Sequence, residues 1–552
     1  MLSMRRVVSV GCRPPILAAL VLVLAAAQAG CTSPGRASAQ SVGAAKPRRG
    51  GVLRLIEEAP ATLDPPLTTT VYESLPVNQI FDGLVALDAG LHVVPSLADT
   101  WIISKDGLTY AFHLRSGVLF HDGTPLTSDD VLYSIRRVLD PGQKKRSVAF
   151  SYLAVVSGAM DYAAGKRPDL PGVDAPDPLT IRIRLDHPYI SFLEVLAMDG
   201  LRVVPRRVVE RLGDDAFGRA PVGTGPFRLT EWTQRGLRLQ SNPGYFGGAP
   251  YVDGVDILFM RPDETDQGAA RFDRGEVDIY DVSTERMDQA ARDPRTRVLR
   301  YQELTVSFLG FLTGARPVDD VRVRQAAAMA IDRDALVKQT PTVRRAAVGI
   351  LPPGMPGYSP DLKALPYDPA RARLLLSEAG HPGGRGLQPI VLYNASRSKA
   401  SLRVRERVRS DLEAVGLRLD VREVTWGELT KHTDDHDAPA FVLSWIADLT
   451  DPDAFLRSLF QSDNSANYFD FHDDKVDALL EDGAREMNPV TRAKIYREAE
   501  KRILEMAPLV PLYHTLAVVA VRKTVHGFEP TPLGIASLNL EHVWLAVDDG
   551  AS

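Results

Sequence analysis

The chain has almost no cysteine: of its 552 residues, only Cys12 and Cys31 carry a thiol. Both lie near the amino terminus, where three arginines precede a short apolar stretch at 16–27. This order is typical of an export signal, and the stretch is too short to span a membrane comfortably. Because Cys12 lies before the apolar run, it belongs to the leader, and the exported chain can form no internal disulfide.

Cys31 follows the small residues Ala29 and Gly30, at the point where a signal peptidase would cut. The pattern resembles a bacterial lipobox, although Gln28 stands where that motif usually has an aliphatic residue. We therefore predict a signal peptide at 1–30 and lipidation of Cys31, whose acyl chains would hold the protein on a membrane. Ordinary secretion, with Cys31 removed or left free, is the alternative.

The chain also has no excess of basic residues. Removal of the leader takes away three arginines and no acid, so the formal net charge changes from -5 to -8. Such a chain lacks the strong positive charge of a nucleic-acid-binding protein, and we expect no nucleic-acid partner. The residues just after the leader, 31–49, are mainly Ser, Gly, Ala, Pro and basic, and they are predicted to form a flexible tether.

The common catalytic signatures are missing as well. The chain contains no Gly-x-Ser-x-Gly elbow, no His-Glu-x-x-His pair and no phosphate-binding loop. Asp448, Asp451 and Asp453 form a small acidic group, but neighbouring acids are common in loops. We therefore predict that the protein is not an enzyme and carries no cofactor.

What the chain does contain is alternating strand and helix patterns, with 45% hydrophobic residues, enough for two or three α/β domains. Alternation at 109–115 and 181–185 predicts strands with one wet face. Asp368-Pro369 and Asn488-Pro489 each predict the start of a helix. The apolar run at 441–445 predicts a buried strand, and the polar loop beyond it is where a binding site is expected.

Several segments occur in the order found in the extracytoplasmic solute-binding proteins of family 5, the peptide- and nickel-binding proteins of ABC importers. The chain resembles this family over nearly the whole mature length. The similar segments are 50–53, 63–65, 80–85, 95–98, 106–110, 121–125, 222–227, 242–246, 319–326, 445–448 and 451–452.

The resemblance implies a two-lobed α/β protein of the periplasmic-binding-protein type II fold, of the large cluster C type, with an extra domain inserted in the first lobe. Such lobes close like a hinge around a ligand. By analogy with the family's chain path, the predicted divisions are lobe I at 50–95, 196–300 and 511–552, the extra domain at 96–195, and lobe II at 301–510.

The same resemblance assigns candidate ligand-binding residues. Asp448 matches the acid that receives a peptide's α-ammonium group in peptide-binding relatives, with capping of its own loop as the alternative role. Trp445, Trp426 and Tyr72 could line the cleft, or could pack in the core as Trp and Tyr usually do. A ligand carboxylate would need an arginine, and Arg397 is the candidate because it lies in a loop-like stretch.

Arg403 and Arg405 are alternatives to Arg397, but they follow one another in a predicted helix whose charged face is expected to be solvated. His432 and His436 stand four residues apart, a spacing that could bring two imidazoles to one metal ion on a helix. The segment lacks an apolar face, so we interpret it as a solvated loop and predict no metal site.

The function implied by the resemblance is that of an extracytoplasmic lipoprotein, in the periplasm or on the outer cell surface. It would capture short peptides between its lobes as a monomer and deliver them to an ABC permease driven by partner ATPases. A nickel chelate, a sugar or an opine-like solute is the alternative ligand. Presentation of the ligand to a receptor, as a sensory binding protein, is the alternative function.

Overall fold

The structure is a computed structural model that describes residues 46–68, 70–142, 149–260, 267–338, 340, 343–362, 365–395, 399–534 and 537–546. A four-stranded sheet contains the first strand after the tether. Its order is β1 (Val52–Glu57), β10 (Gly254–Phe259), β9 (Gly236–Ser241) and β8 (Phe227–Thr233). β1 and β10 are parallel, whereas the other pairs are antiparallel.

A larger mixed sheet is organised around β18 (Leu509–Arg522). One side of β18 carries β13 (Thr305–Phe311), β17 (Ala440–Ile446), β15 (Ile390–Asn394) and β16 (Leu419–Glu423), in that order. The strands β11 (Ile279–Asp281), β12 (Thr296–Gln302) and β14 (Arg344–Ala346) also pair with β18. Residues 509–515 of β18 pair with β13 and β14, and residues 516–522 pair with β11 and β12. One continuous strand therefore connects two groups of strands.

A third sheet is antiparallel, in the order β4 (Ala98–Ile103), β5 (Thr109–Leu114), β7 (Thr180–Arg184) and β6 (Val173–Asp177). In β5 and β7 every second side chain is buried, including Tyr110, Phe112, Ile181 and Ile183. Both alternating patterns are thus confirmed as strands with one buried face. Two short hairpin-like pairs join β2 (Val85–Leu87) to β3 (Val93–Pro95) and β19 (Val525–His526) to β20 (Trp544–Leu545).

Helices surround the sheets. They are α1 (Val71–Ile80), α2 (Ser128–Val138), α3 (Ala149–Tyr152), α4 (Ala159–Ala163), α5 (Phe192–Val195), α6 (Arg206–Leu212), α7 (Asp214–Arg219), α8 (Gln267–Asp273), α9 (Met287–Arg292), α10 (Val321–Ala330), α11 (Arg333–Val337), α12 (Pro369–Glu378), α13 (Lys399–Glu413), α14 (Trp426–Asp434), α15 (Leu456–Phe460), α16 (Asp474–Arg485) and α17 (Pro489–Met506). None of the described helices is both long and apolar enough to span a membrane.

The starts of α12 and α17 confirm the predicted caps. The Asp368 side chain accepts a hydrogen bond from the backbone N–H of Arg371, and Asn488 accepts from those of Val490 and Thr491. Each cap satisfies backbone donors that have no partner within the first turn, and the proline after it supplies a helical φ. The sequence therefore defines both starts locally.

The largest hydrophobic core is shared by the third sheet and the strands at the centre of the large sheet. Phe112, Ile181 and Phe192 belong to the same buried cluster as Phe308 and Phe441. A second cluster lies on the first sheet and continues onto the far end of β18. The shared core holds α5 and the chain after it against the loop that follows β17, where the candidate site lies.

Candidate functional site

The candidate site begins where β17 ends. Trp445 and Ile446 are the last two residues of this strand, and the backbone N–H of Ala447 still donates to the carbonyl of Leu304 at 2.9 Å. Asp448 is therefore placed directly beyond the strand end, on a backbone fixed by the neighbouring β13. The strand and its exit into a polar loop are as the sequence predicts, but within the run 441–445 only Phe441 and Leu443 are buried.

Trp445 is held by its indole group. Its Nε1–H donates to the carbonyl oxygen of Ala454 at 2.6 Å, and the ring centroid lies 6.4 Å from that of Tyr468. The side chain is half-buried, so one part packs on the core while the rest remains accessible. Trp445 thus stabilises the loop that carries Asp448, whether or not it also contacts a ligand.

Asp448 has an uncompensated carboxylate. No hydrogen bond or ion pair joins it to any residue that the structure describes. It is half-buried, and loss of solvation, followed by the negative charge of Asp199, raises its pKa to about 7. A group in this state gains more from a cationic partner than a solvated carboxylate would.

The two acids that follow are already paired with other side chains. Asp451 accepts two hydrogen bonds from the Arg492 guanidinium, at 2.5 and 2.9 Å, and accepts another from the Ser191 hydroxyl. Asp453 accepts from the Tyr496 hydroxyl, and one of its oxygens lies 3.5 Å from Arg492. Both carboxylates are buried. Of the three acids in this loop, only Asp448 therefore has no hydrogen-bond or ion-pair partner among the described residues.

The loop is also tied to the chain around α5. Thr450 donates from its backbone N–H and from its hydroxyl to one carboxylate oxygen of Glu194, at 3.2 and 2.6 Å. Ser191 reaches Asp451 from the residue before α5. Asp448 therefore lies between two supports, the end of β17 on one side and the chain near α5 on the other.

Tyr72 lies in a second acidic region, formed by Glu57, Glu58, Asp281 and Glu303. Loss of solvation, followed by the charges of Glu58 and Glu57, raises the pKa of Tyr72 to about 12. In the same region, burial and neighbouring acids raise the pKa of Glu57 to about 8 and that of Glu303 to about 7. Tyr72 thus lies among carboxylates other than Asp448.

The remaining predicted site residues are spread out. Trp426 is the first residue of α14 and is 59% exposed, so it does not pack in the core. Arg397 and Cys31 lie outside the described residues. Arg403 donates to Glu285 at 2.6 Å and Arg405 to Glu423 at 2.8 Å, so both already pair with carboxylates.

The interpretation of the two-histidine segment as a loop is wrong in part. Helix α14 continues to Asp434 and includes His432, whereas His436 lies beyond it with a left-handed φ of 51°. Thr425 and Glu428 form a capping box, and Leu429 and Thr433 provide a buried face. His432 contacts Asp437 at 2.6 Å. Within the described ranges, no group of three His, Cys, Asp or Glu side chains could hold a metal ion.

Sequence reasoning missed Asp199, Tyr152 and Tyr468 as neighbours of the candidate carboxylate. The charge of Asp448 acts on both tyrosines, and that of Asp199 acts on Asp448. Asp199 has no motif of its own and is separated from Asp448 by 249 residues of the chain. Only the tertiary fold brings these residues together, so no local signal could have found them.

Comparison with known proteins defines the family. The model of the bacterial extracellular solute-binding proteins, family 5 middle region, matches residues 92–467. The chain belongs to this family. Its members are binding proteins that act outside the cytoplasm, and the predicted family membership is confirmed.

Similar family 5 proteins include two curated relatives. Di/tripeptide-binding protein 2 of Pseudomonas aeruginosa is 30% identical over 500 residues, which cover 86% of this chain and 92% of that protein. Heme-binding protein A of Haemophilus influenzae is 30% identical over 479 residues, which cover 83% and 85%. The names of these relatives therefore include more than one class of ligand.

A solved structure supports the fold. The ABC transporter-associated periplasmic binding protein DppA of Helicobacter pylori, in complex with the peptide STSA, matches with a TM-score of 0.80. It is 26% identical, and the match covers 90% of this chain and 98% of that chain. The predicted two-lobed α/β fold of the periplasmic binding proteins is thereby confirmed.

Proposed function

We propose that this protein captures short peptides with a free amino terminus and that Asp448 receives the α-ammonium group. The observation that carries the proposal is the carboxylate of Asp448 directly beyond β17, which has no partner among the described residues, next to two acids that pair with Arg492 and Tyr496. Names of similar proteins point the same way, since they include di/tripeptide binding and a complex with the peptide STSA.

The energetics favour an ammonium ligand at this place. An ion pair at about 4 Å is worth roughly 4 kcal/mol at an effective dielectric near 20. Loss of solvation raises the free energy of the ionised form of Asp448, so a cation bound beside it would stabilise the charge. A neutral, N-blocked terminus would bring no such relief, and the site should discriminate against it.

The same proposal includes the cellular role. The bound peptide would be delivered to an ABC permease, with ATP hydrolysed by partner subunits, while the family 5 protein itself stays outside the cytoplasm. Lipidation of Cys31 after removal of 1–30 would hold it on the membrane through the tether at 31–49. These steps rest on the leader sequence and on family membership.

The test compares free and N-blocked ligands. The full chain is titrated calorimetrically with trialanine and with N-acetyl-trialanine, using the parent, Asp448→Ala and the matched control Asp482→Ala. Asp482 is exposed on α16. We expect Asp448→Ala to weaken trialanine binding at least tenfold, the loss typical of a charged hydrogen bond. The control Asp482→Ala should bind trialanine with the parent's affinity.

Each outcome decides a separate point. Equal affinity of Asp448→Ala and parent for trialanine would remove Asp448 from the site. A parent protein that binds no free peptide, across a panel of di-, tri- and tetrapeptides, would overturn the peptide proposal itself.

A further inference from the structure

The chain passes between the two lobes at two places in the described sheets. Strand β12, which ends at Gln302, pairs with the second half of β18, whereas β13, which begins at Thr305, pairs with the first half. The chain therefore crosses once between these two residues and once inside β18, just before Leu516. Two short crossings that join two packed bodies have the form of a hinge.

Helix α5 and the loop that carries Asp448 lie on opposite sides of this hinge. The loop, residues 447–458, is called the Asp448 loop below; it follows the first crossing and belongs with β13 and β17. Helix α5 precedes that crossing and belongs by connectivity to the other lobe. The two elements are joined along the chain through the hinge alone, so their contact can open when the hinge turns.

Polar side chains near α5 are bonded directly to the Asp448 loop. Thr450 donates from its backbone N–H and from its hydroxyl to one carboxylate oxygen of Glu194, at 3.2 and 2.6 Å. The hydroxyl of Ser191 donates to Asp451. Ser191 and Asp451 are buried, and Glu194 and Thr450 are half-buried, so water competes weakly for these bonds.

The Asp448 loop presents a preformed surface to the other lobe. Arg492, which lies on the same side of the hinge as the loop, donates to both carboxylate oxygens of Asp451, at 2.5 and 2.9 Å. Farther along the loop, the Ser458 hydroxyl lies 3.4 Å from that of Tyr152 in α3. The two lobes therefore meet at separate points along the loop, and these contacts specify one relative position.

The other end of the Asp448 loop is anchored at the hinge. The backbone N–H of Ala447 donates at 2.9 Å to the carbonyl of Leu304, which lies in the first crossing. Asp448 follows this anchor directly and precedes Thr450 by two residues. The hinge and the contact with Glu194 thus hold the backbone of Asp448 from both sides.

We infer that Glu194 is a positioning residue, which holds the Asp448 loop only while the lobes are closed and so couples ligand binding to closure. The inference rests on the proposed function and deepens it. In the open form the two donors of Thr450 would face water, whereas in a closed form without Glu194 they would be buried with no acceptor. The bonds to Glu194 therefore stabilise the closed form selectively, which is the condition for coupling.

This role predicts a kinetic effect as well as a loss of affinity. The apparent Kd of a ligand that binds the closed form is its intrinsic Kd divided by the fraction of protein that can close around it. Because the contact forms after the peptide has entered, its loss should accelerate release and leave association nearly unchanged. A contact with a purely structural role would change the free energy of unfolding but not the release rate.

The main test measures association and release of trialanine by stopped-flow tryptophan fluorescence. Glu194→Ala removes the acceptor, Glu194→Gln restores an oxygen acceptor, and Thr450→Val removes the hydroxyl donor. Glu210→Ala is the matched control, because Glu210 is exposed on α6 of the same lobe and forms a surface ion pair with Arg206, which contributes little.

We expect Glu194→Ala to raise the release rate and the Kd of trialanine at least tenfold, with an association rate within about threefold of the parent's. Glu194→Gln should release trialanine at least threefold more slowly than Glu194→Ala, because a neutral acceptor restores part of the interaction. Thr450→Val should also release trialanine faster, and its effect should be smaller in the Glu194→Ala background, since the two residues share one contact. Glu210→Ala should match the parent.

A second measurement detects opening of the contact in the unliganded protein. Hydrogen exchange of the Thr450 backbone amide is followed by mass spectrometry with and without saturating trialanine. Without peptide, this amide should exchange at similar rates in the parent and in Glu194→Ala, because the contact is open in both. Trialanine should slow the exchange at least tenfold in the parent and by a smaller factor in Glu194→Ala.

The inference is overturned if Glu194→Ala releases trialanine at the parent's rate. It is also overturned if the Thr450 amide of the unliganded parent is already as protected as in the complex, since the contact would then be static. If Asp448→Ala loses affinity while Glu194→Ala does not, the proposed function stands and only the role of Glu194 fails. A parent that binds no free peptide would instead contradict the proposed function, and the inference with it.

Discussion

At the scale of single residues, three acids within one loop have different roles because their surroundings differ. Asp451 and Asp453 are buried and bound to Arg492 and Tyr496, whereas Asp448 has no such partner in the described part of the chain. The sequence presents all three as one acidic group. Burial and pairing decide which of them supports the loop and which is available to a ligand.

The paired acids give the first stability prediction. Arg492→Ala would leave Asp451 and Asp453 buried without their cation, and breaking a buried ion pair in this way typically costs about 3–5 kcal/mol. We expect urea unfolding at pH 7.5 to show a loss of this size. Arg497→Ala is the matched control, because Arg497 is exposed on the same helix, and it should change stability by less than about 0.5 kcal/mol.

A loss below about 1 kcal/mol for Arg492→Ala would contradict this account of the loop. It would mean that the two acids become protonated or solvated at little cost once the guanidinium is gone. Charge compensation would then not be the main contribution of Arg492 to stability.

At the scale of elements, the Val222-Gly223-Thr224-Gly225-Pro226-Phe227 segment shows why the family resemblance depends on small residues. This segment passes the end of α1, where the N–H of Gly225 donates to the carbonyl of Ile80 at 2.9 Å. A Cβ atom on Gly223 would lie 2.0 Å from that same carbonyl oxygen. The close approach of two backbone segments therefore requires glycine.

Gly223→Ala should accordingly destabilise the protein. Overpacking typically costs about 1–3 kcal/mol, and the upper end applies here because the obstructing atom belongs to the backbone. Gly427→Ala is the control: it lies in α14, has no atom within 4 Å of the added Cβ, and should be neutral or stabilising. Thermal unfolding of both variants checks the difference, and equal melting temperatures would refute the packing explanation.

Elements with local signals could be predicted from the sequence, and elements that depend on distant partners could not. The caps at Asp368 and Asn488 and the alternation in β5 and β7 involve neighbouring residues only, and they predict the structure correctly. Helix α14 was not predicted because the residues that define its start, Thr425 and Glu428, precede the two-histidine segment. A search for the capping box Thr425-x-x-Glu428 would have found it.

At the scale of the whole molecule, the candidate site combines one residue that the sequence predicts with others that it does not. Asp448 follows a buried strand and matches a family motif, so it could be found from the chain alone. The support for its loop from Glu194, which accepts from Thr450, joins parts of the chain that are far apart. Such pairings depend on topology and packing, which local patterns do not encode.

Several carboxyl groups of the protein are buried where water solvates them poorly. Burial raises the pKa values of Glu303, Asp448, Glu500 and Glu541 to about 7, and that of Glu57 to about 8. Each group stays protonated in the folded protein at a pH where the unfolded chain has already released the proton. Stability from such groups is present below their unfolded pKa and is lost as pH rises through the folded pKa.

Glu500 offers a clean test of this effect. Its carboxylate accepts from the backbone N–H groups of Ile350 and Leu351, and a glutamine at this position could accept the same bonds without titrating. Between pH 5.0 and 7.5, we expect the parent to lose up to about 2 kcal/mol relative to Glu500→Gln, because each pH unit in the window contributes about 1.4 kcal/mol. Urea unfolding at several pH values measures both curves.

The comparison with Glu500→Gln cancels the titration of other groups. Buried His514 acts in the opposite direction, since its pKa is lowered to about 4 by burial and its contribution grows with pH up to about 6.5. It is the same in parent and variant, so only the Glu500 contribution remains in the difference. Glu498 lies on an exposed face of the same helix. The free energy of unfolding of Glu498→Gln should therefore change with pH in parallel with that of the parent. If the free energy of unfolding of Glu500→Gln also changes in parallel with that of the parent, the Glu500 carboxylate is already ionised in the folded protein. Its two backbone donors would then be sufficient to stabilise the charge.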